Sequence, residues 1–438
     1  MRVWLVTASV MMAGMGAAQA ANLTTLVSFT DTIGLYKGSD PQAGLIIDSL
    51  GNLYGTTLGG GTFGAGTVFK LAKGATNYTF STLATFNNGT GIGSAPFGGL
   101  YADATGNLYG TTAYGGPTSF SDGNVFKLTK SGSNYTLSTL AYFTGTGPGR
   151  NGNSPTGTLI ADSSGNLYGT TNHGGTTGYG TAFELVKASG YAVSTLATFS
   201  DPNGGNLFAG LIADSSGNLF GTTNSAGGAN TYGTVFELVK ASGYAITTLA
   251  SFTNGNGANP YAGLISDSLG NLYGTTYDGG STGFGTVFEL IKASGYALST
   301  LATFTSATGK NPDGGLIMDS AGNLFGTTDV GGSSNKGTVF ELVKGASGYT
   351  LQTVSTFTGA NGSTPYDGLV ADSSGNLFGT TTLGGAGNYG TVFEVTNSGF
   401  VVATAVPEPP SWALLVAGLL GTAAWRRRKT PSLGRSTG

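Results

Sequence analysis

Cysteine is absent from this 438-residue chain, and histidine occurs once, at His173. Without cysteine there is no disulfide framework and no thiolate metal site, so the chain folds without oxidative chemistry. A single histidine leaves no second imidazole for a zinc site and no Cys–His pair. A Ser–His–Asp triad would have to use His173 as its base, and no G-x-S-x-G elbow accompanies it. Charge is scarce as well, at 9% Asp, Glu, Lys and Arg. The body of the chain is net acidic and has no basic patch to cover phosphates, which argues against nucleic acid as a partner. Gly-Gly pairs are frequent, but none leads into the Lys-Ser/Thr and helix that a phosphate loop requires.

What is present is glycine, 79 residues of it, together with 11% aromatic and 39% hydrophobic residues. Disordered chains are poor in aromatics and rich in charge, so this composition describes a folded protein. Gly with Thr, Ser, Tyr and Phe favours strands joined by tight turns.

The body is a tandem array. A segment G-N-L-[YF]-G-T-T begins at Gly51, Gly106, Gly165, Gly217, Gly270, Gly322 and Gly375, with spacings of 55, 59, 52, 53, 52 and 53 residues. One unit, Gly263 to Phe304, shows the pattern. Gly263 to Ser266 is a first strand, and Asp267-Ser268-Leu269-Gly270 a turn in which Asp accepts backbone N–H bonds and Gly takes positive φ. Asn271 to Thr276 is a second strand, followed by the Gly279-Gly280 loop. Thr286 to Ile291 is a third strand with period-two alternation, and Tyr296 to Phe304 a fourth. Four antiparallel strands in about 50 residues, seven times over, predict an all-β, seven-bladed β-propeller, whose radial closure protects strand edges. A β-solenoid is the alternative, but its coils need only about 20–30 residues and no three tight reversals each. Leu23 to Phe29 resembles a fourth strand and could complete blade seven; Phe400 to Ala405 competes for that place, giving eight candidates for seven blades. The N-terminal strand is favoured because Pro407 soon carries the C-terminal segment out of the fold.

The two ends read as addresses. Residues 1–20 have Arg2 in a positive leader, an apolar core from Val3 to Gly16, and Ala18-Gln19-Ala20 as a small-residue cleavage pattern. This is the form of a signal peptide helix cut by signal peptidase between Ala20 and Ala21; an uncleaved anchor is the alternative. The propeller is assigned to residues 21–405. Residues 406–429 carry Pro407-Glu408-Pro409, an apolar stretch from Ser411 to Trp425, and Arg426, Arg427, Arg428 and Lys429. Fifteen helical residues rise about 22 Å, so this stretch is a short transmembrane helix whose Arg cluster stays cytoplasmic. Residues 430–438 are a tail.

The order Pro-Glu-Pro, apolar helix, Arg cluster resembles the PEP-CTERM sorting signal of Gram-negative bacteria. That resemblance implies an exosortase-type processing enzyme as a partner and a transient anchor in the inner membrane. It further implies release to the cell surface or the extracellular matrix, in company with exopolysaccharide. The tail is longer than usual for such signals, and a plain membrane anchor is the alternative. The repeat itself, on G-N-L-[YF]-G-T-T, the following Gly-Gly and G-T-V-F, resembles the GloVer (gloeo/verruco) repeat of bacterial surface proteins over nearly all of Gly44 to Val395. Asn124 and Ala182 depart from it. That family implies no activity.

A residue repeated seven times normally serves the blade, while a catalytic site needs a singular constellation. Asp48, Asp103, Asp162, Asp214, Asp267, Asp319 and Asp372 are therefore expected to stabilise turns, with no neighbouring acids to complete a calcium site. Glu184, Glu237, Glu289, Glu341 and Glu394, replaced by Lys70 and Lys127 in two copies, suggest a solvated strand face. The Thr-Thr pairs suit strand bonding; a ring of hydroxyls at one mouth is the functional alternative. Tyr273, Phe325 and their counterparts are expected in the core, with exposed sugar-stacking rings as the alternative. His173 reads as a variable loop position. Asp201, Asp278, Asp313 and Asp329 are the non-repeated loop acids from which a paired-carboxylate site would have to be built.

No catalytic, cofactor or metal residue is assigned. The expected function is a non-catalytic surface or matrix protein that binds glycan or protein through one propeller face. An extracellular glycan hydrolase or lyase and a purely structural matrix component are the alternatives. Clustered non-repeated acids in a concave mouth would favour the enzyme, and aromatics ringing one face the binder.

Overall fold

The computed structural model describes residues 20–35, 37–88, 91–116, 122–225, 228 and 231–403. They form seven four-stranded antiparallel sheets, each consecutive in sequence except the last. Blade five is typical: Ile265–Ser266, Leu272–Thr276, Thr286–Ile291 and Ala297–Thr303. The first strand pairs over two residues only, Ile265 with Tyr273 and Ser266 with Leu272, because the residues before it face the central cavity, where no partner strand exists.

The repeat explains itself locally. Asp267 Oδ1 accepts the N–H groups of Leu269 and Asn271, both at 2.9 Å, while Gly270 takes φ +79°. Asn271 Nδ2 donates to Asp267 Oδ2 at 2.9 Å, and Asn271 Oδ1 accepts from Lys292 N at 3.0 Å. The Asn of G-N-L thus ties the first turn to the end of strand three. Burial of the repeated turn aspartates would raise their pKa, but these hydrogen bonds more than offset it, holding Asp103 down at about 2 and lowering Asp48, Asp162, Asp267 and Asp372 as well.

The Thr-Thr pairs are buried, which removes the hydroxyl-ring alternative. Thr275 Oγ1 donates to Gly314 O of the next blade at 3.2 Å, and Thr276 Oγ1 lies 2.8 Å from Thr286 Oγ1 on strand three. The first threonine joins blades and the second joins strands. Tyr273 and Phe325 are core residues, as expected. The Glu/Lys position of strand three departs from a plain solvated face, because it packs on the aromatic of strand two. Tyr273 Oη lies 2.8 Å from Glu289 Oε1. Where the residue is lysine, its ammonium sits 5.4 Å from the ring centroid, Lys70 over Tyr54 and Lys127 over Tyr109. Where strand two offers tyrosine, a phenol supplies a donor proton to Glu and a π face to Lys; Glu237, Glu341 and Glu394 lie opposite Phe instead.

The core lies between neighbouring blades. At the end of each fourth strand a buried Phe meets the Phe of G-T-V-F in an edge-to-face or tilted pair, as in Phe252–Phe288 at 5.0 Å and Phe304–Phe340 at 4.9 Å. The Gly of L-[YF]-G-T-T makes room for that ring: a Cβ on Gly274 would stand 2.6 Å from Phe288 Cζ.

Both chain ends complete blade seven. Asn22–Ser28 pairs antiparallel with Thr391–Thr396, from Asn22 opposite Thr396 to Ser28 opposite Thr391. The C-terminal competitor forms no ladder over its described part, Phe400 to Ala403. It has another place. In other blades the Tyr that starts strand four packs on the aromatic of the preceding blade, as Tyr296 does on Phe220 at 6.0 Å. The N-terminal strand begins without such a ring, and Phe400 supplies it, 5.2 Å from Phe325. Ser320 N donates to Val401 O at 3.0 Å and Val401 N to Asp319 Oδ2 at 3.2 Å, fastening the segment to blade six.

The expected signal helix and the helix from Ser411 to Trp425 lie outside the described residues. Among the described residues no helix is long and apolar enough to cross a membrane.

Candidate functional site

A cavity of about 400 Å³ occupies the propeller axis, within the range of small-ligand pockets. Its lining comes from the residues just before each first strand, bracketed in six of seven copies by Pro and in all by Leu. The residue after that Pro, or after Leu207 in blade four, is aromatic in four blades and polar in three: Phe97, Phe208, Tyr261 and Tyr366, with Gln42, Thr156 and Asp313, all of them lining. These loops lie on the face that also carries the loops between strands two and three, to which they are bridged, as Ala258 is to Asp278.

The next position is Ala or Gly in six blades and Asp367 in the seventh. Asp367 Oδ2 accepts Gly44 N at 2.5 Å and its Oδ1 accepts Gly368 N at 2.6 Å. Close approach of the backbones explains the glycines here: a Cβ on Gly314 would stand 2.6 Å from Asp367 O, and one on Gly157 2.6 Å from Ala209 O.

Aromatic rings form much of the mouth. Phe208 and Tyr261 lie 5.0 Å apart, Tyr261 and Tyr277 5.3 Å, and Phe97 and Tyr366 6.1 Å. Acids gather on the side of blades five to seven. Asp313 lines the cavity at 5% exposure. Burial raises its pKa well above the usual carboxylate range, and the neighbouring Asp329 and Asp367 raise it further, against a hydrogen bond from Tyr366. Burial also raises Asp329, opposed by Tyr277, whose Oη donates to Asp329 Oδ2 at 3.4 Å. Burial raises Asp367, opposed by the N–H groups of Gly368, Gly44 and Gly315. Burial raises Asp278 too, opposed by Asn311, whose Nδ2 donates at 3.1 Å. Among the described lining residues none is Lys, Arg or His.

Asp313→Asn is therefore expected to stabilise the protein at neutral pH. A folded pKa raised above the unfolded value means that stability falls as pH rises between the two. The gain, on the order of 1 kcal/mol, should be seen in denaturant melts at pH 7 and should vanish near pH 4. An equal gain at both values would show that charge is not its cause.

Of the loop acids singled out from sequence, Asp313 and Asp329 come together, with Asp278 nearby on the same face. Asp201 stands in the exposed turn Asp201–Asn203, apart from the cavity. His173 is an exposed loop residue whose backbone pairs with Asn153. Asp367, Gln42, Phe97, Phe208, Tyr261 and Tyr366 escaped sequence reasoning. The signal was available, as a variable column between a near-constant Pro and a constant Leu. Ala18, Pro407, Glu408, Pro409, Arg426, Arg427 and Arg428 lie outside the described residues. Ala20 is exposed, and Ala21 packs on the blade-seven core beside Leu23 and Phe400. Among the described residues no group of three His, Cys, Asp or Glu side chains is placed to hold a metal ion.

The family model for the Gloeobacter/Verrucomicrobia repeat matches residues 15–149, 79–268 and 212–407. The model for the PEP-CTERM protein-sorting motif matches residues 405–429. No curated protein matches the chain. Similar solved structures include a proposed oxidoreductase (glucose dehydrogenase) from Thermus thermophilus, 14% identical over 86% of this chain and 100% of that one, with a TM-score of 0.42. A proposed 6-phosphogluconolactonase from Bacteroides uniformis is 15% identical over 78% of this chain and 89% of that one, TM-score 0.45. PorZ, a bacterial surface component of the type-IX secretion system of Porphyromonas gingivalis, is 17% identical over 78% of this chain and 45% of that one, TM-score 0.40. Likeness at this level transfers no activity from them to this chain.

Proposed function

The chain belongs to the Gloeobacter/Verrucomicrobia repeat family and ends in a sorting motif for export to the Gram-negative cell surface, and from that premise we propose that it is a non-catalytic surface protein binding a glycan in its axial cavity. One observation carries the reading. The repeat holds turns, threonines and core nearly constant, while seven positions that vary among aromatic, amide, hydroxyl and carboxyl side chains converge on one cavity. Phe97, Phe208, Tyr261 and Tyr366 offer faces for the C–H side of sugar rings. Gln42, Thr156, Thr158, Asp313 and Asp367 offer hydrogen bonds to hydroxyls. Exosortase-type machinery processes such motifs. The finer steps are part of the proposal: removal of the leader by signal peptidase, a transient anchor in the inner membrane, and exopolysaccharide as the surface glycan.

The test is titration calorimetry of the full chain in detergent against surface polysaccharide fragments. Phe208→Ala is expected to weaken binding about tenfold, the equivalent of 1.4 kcal/mol. No binding by the unaltered chain would sink the reading. The gathered acids favour a second reading, a glycan hydrolase or lyase in which Asp313, its pKa raised by burial and further by its acidic neighbours, acts as general acid. Shortened oligosaccharides after incubation, absent with Asp313→Asn, would move the assignment there.

A further inference from the structure

The cavity is asymmetric in a way that bears on the chemistry of its ligand. Asp313 and Asp367 both line it, and Asp329 stands behind Asp313 within electrostatic reach. Three carboxyl groups therefore share one side of the axis with no cation among the lining residues. The ion pair found among the described residues, Lys73 with Asp372 at 3.3 Å, joins the repeated turn of blade seven to blade one and is no part of the lining. Next to this acidic side, blades four and five carry aromatic surface, with Phe208 and Tyr261 in contact and Tyr261 within electrostatic reach of Asp313.

Outside the lining residues, two buried polar atoms on this side have no hydrogen-bond partner, as is also true of both side-chain polar atoms of Asn172 at the same repeat position of blade three. One is Asp329 Oδ1. The other is Nδ2 of Asn224, a residue 7% exposed that lies against Tyr261. Buried polar groups are normally paired, and close acids without a counter-charge repel one another. A neutral sugar would satisfy hydrogen bonds but leave the repulsion in place. An anionic sugar would add to it. A cationic ligand removes it, and electrostatic complementarity of this kind selects among otherwise similar partners.

We infer that the cavity selects a sugar bearing a free primary amine, its ammonium seated at Asp313 and Asp367 and its ring face on Phe208 and Tyr261. The inference rests on the glycan-binding reading and adds the ligand class to it. Hexosamine units without an N-acetyl group have this chemistry: one cationic centre on a ring with an apolar face.

The experiment compares three probes on the full chain in detergent: a β-linked glucosamine tetramer, its fully N-acetylated counterpart, and a lysine tetrapeptide. The expected result is that the amine tetramer binds at least tenfold more tightly than the acetylated one. Asp313→Asn should reduce that preference to less than threefold while leaving the far-UV spectrum unchanged. Equal binding of the two tetramers would overturn the amine inference and leave the glycan reading standing. Binding of the lysine peptide as tight as that of the amine tetramer would overturn the sugar part. Binding of none of the three, when surface polysaccharide fragments do bind, would overturn the inference alone; binding of nothing at all would overturn both. Should Asp313→Asn fail to fold, Phe208→Ala serves in its place, expected to weaken the amine tetramer about tenfold and the lysine peptide by less than threefold.

Discussion

Phe29→Ala is expected to lower the stability of the propeller by about 3–5 kcal/mol, the range for truncating a buried phenylalanine. Phe29 is fully buried, 5.2 Å from Phe69 and 6.1 Å from Phe80, and its N–H donates to Gly390 O at 3.0 Å. Its counterparts, such as Phe252, end fourth strands that a tight turn also joins to strand three. Phe29 ends the one fourth strand without that turn: Asn22–Ser28 is held to blade seven by its ladder with Thr391–Thr396 and by the apolar contacts of Val27 and Phe29. Loss of the ring should therefore release a strand there, where elsewhere it leaves a cavity. Hydrogen exchange gives the readout: Phe29→Ala should lose protection across Thr391–Thr396 and Leu377–Thr381 below the global transition, and Phe252→Ala should not lose it locally. A Phe29→Ala protein within 1 kcal/mol of the unaltered chain, with blade seven still protected, would show that Phe400 and the C-terminal segment carry closure instead.

The sequence discloses this fold because its information is local and repeated. Asp and Gly in the first turn, alternation in strand three and the Phe at the end of strand four each state a short-range preference, and seven copies rule out accident. Legibility fails where partners lie on a distant strand or in another blade. The Asn of G-N-L looks like turn filler until its Oδ1 is seen on the N–H of strand three. The first Thr of each pair looks like an exposed strand residue until its hydroxyl is traced to the next blade. Phe400 looks like a rival fourth strand because a linear alignment offers no third option, whereas the structure takes its ring and discards its ladder.

The cavity follows the same logic at longer range. Asp313, Asp329 and Asp367 belong to two blades, and Tyr261 and Phe208 to two more. Only closure of the ring brings them to one axis. Their burial is a property of that assembly, so no window of sequence records it. Asp40 and Asp122, also raised by burial, show that a non-repeated acid near a loop is not by itself a cavity acid.

Glycine tests how far the repeat is backbone geometry. Gly285→Ala and Gly283→Ala sit two residues apart in one loop, both at positive φ, +94° and +78°. At Gly283 nothing lies within 4 Å of a new Cβ, so the cost is the left-handed conformation alone, about 1 kcal/mol. At Gly285 the Cβ would stand 2.3 Å from Thr276 O, 2.6 Å from Pro312 Cδ and 2.7 Å from Tyr277 O. Two of these are carbonyls of strand two and the loop that follows it, and the third is the proline that leads the next blade toward the cavity. None can swing aside as a flexible side chain would. Backbone strain and overpacking then add, for a loss above about 3 kcal/mol. The same crowding recurs at Gly66, Gly123, Gly180, Gly233, Gly337 and Gly390, where a Cβ would meet a strand-two carbonyl at 2.3–2.5 Å. That is the physical reason the glycine of G-T-V-F stands in every copy while the glycine two residues earlier does not. Denaturant melts of the two variants decide it. Equal losses would mean that the loop and its proline yield, and that the glycine is there for its φ angle alone.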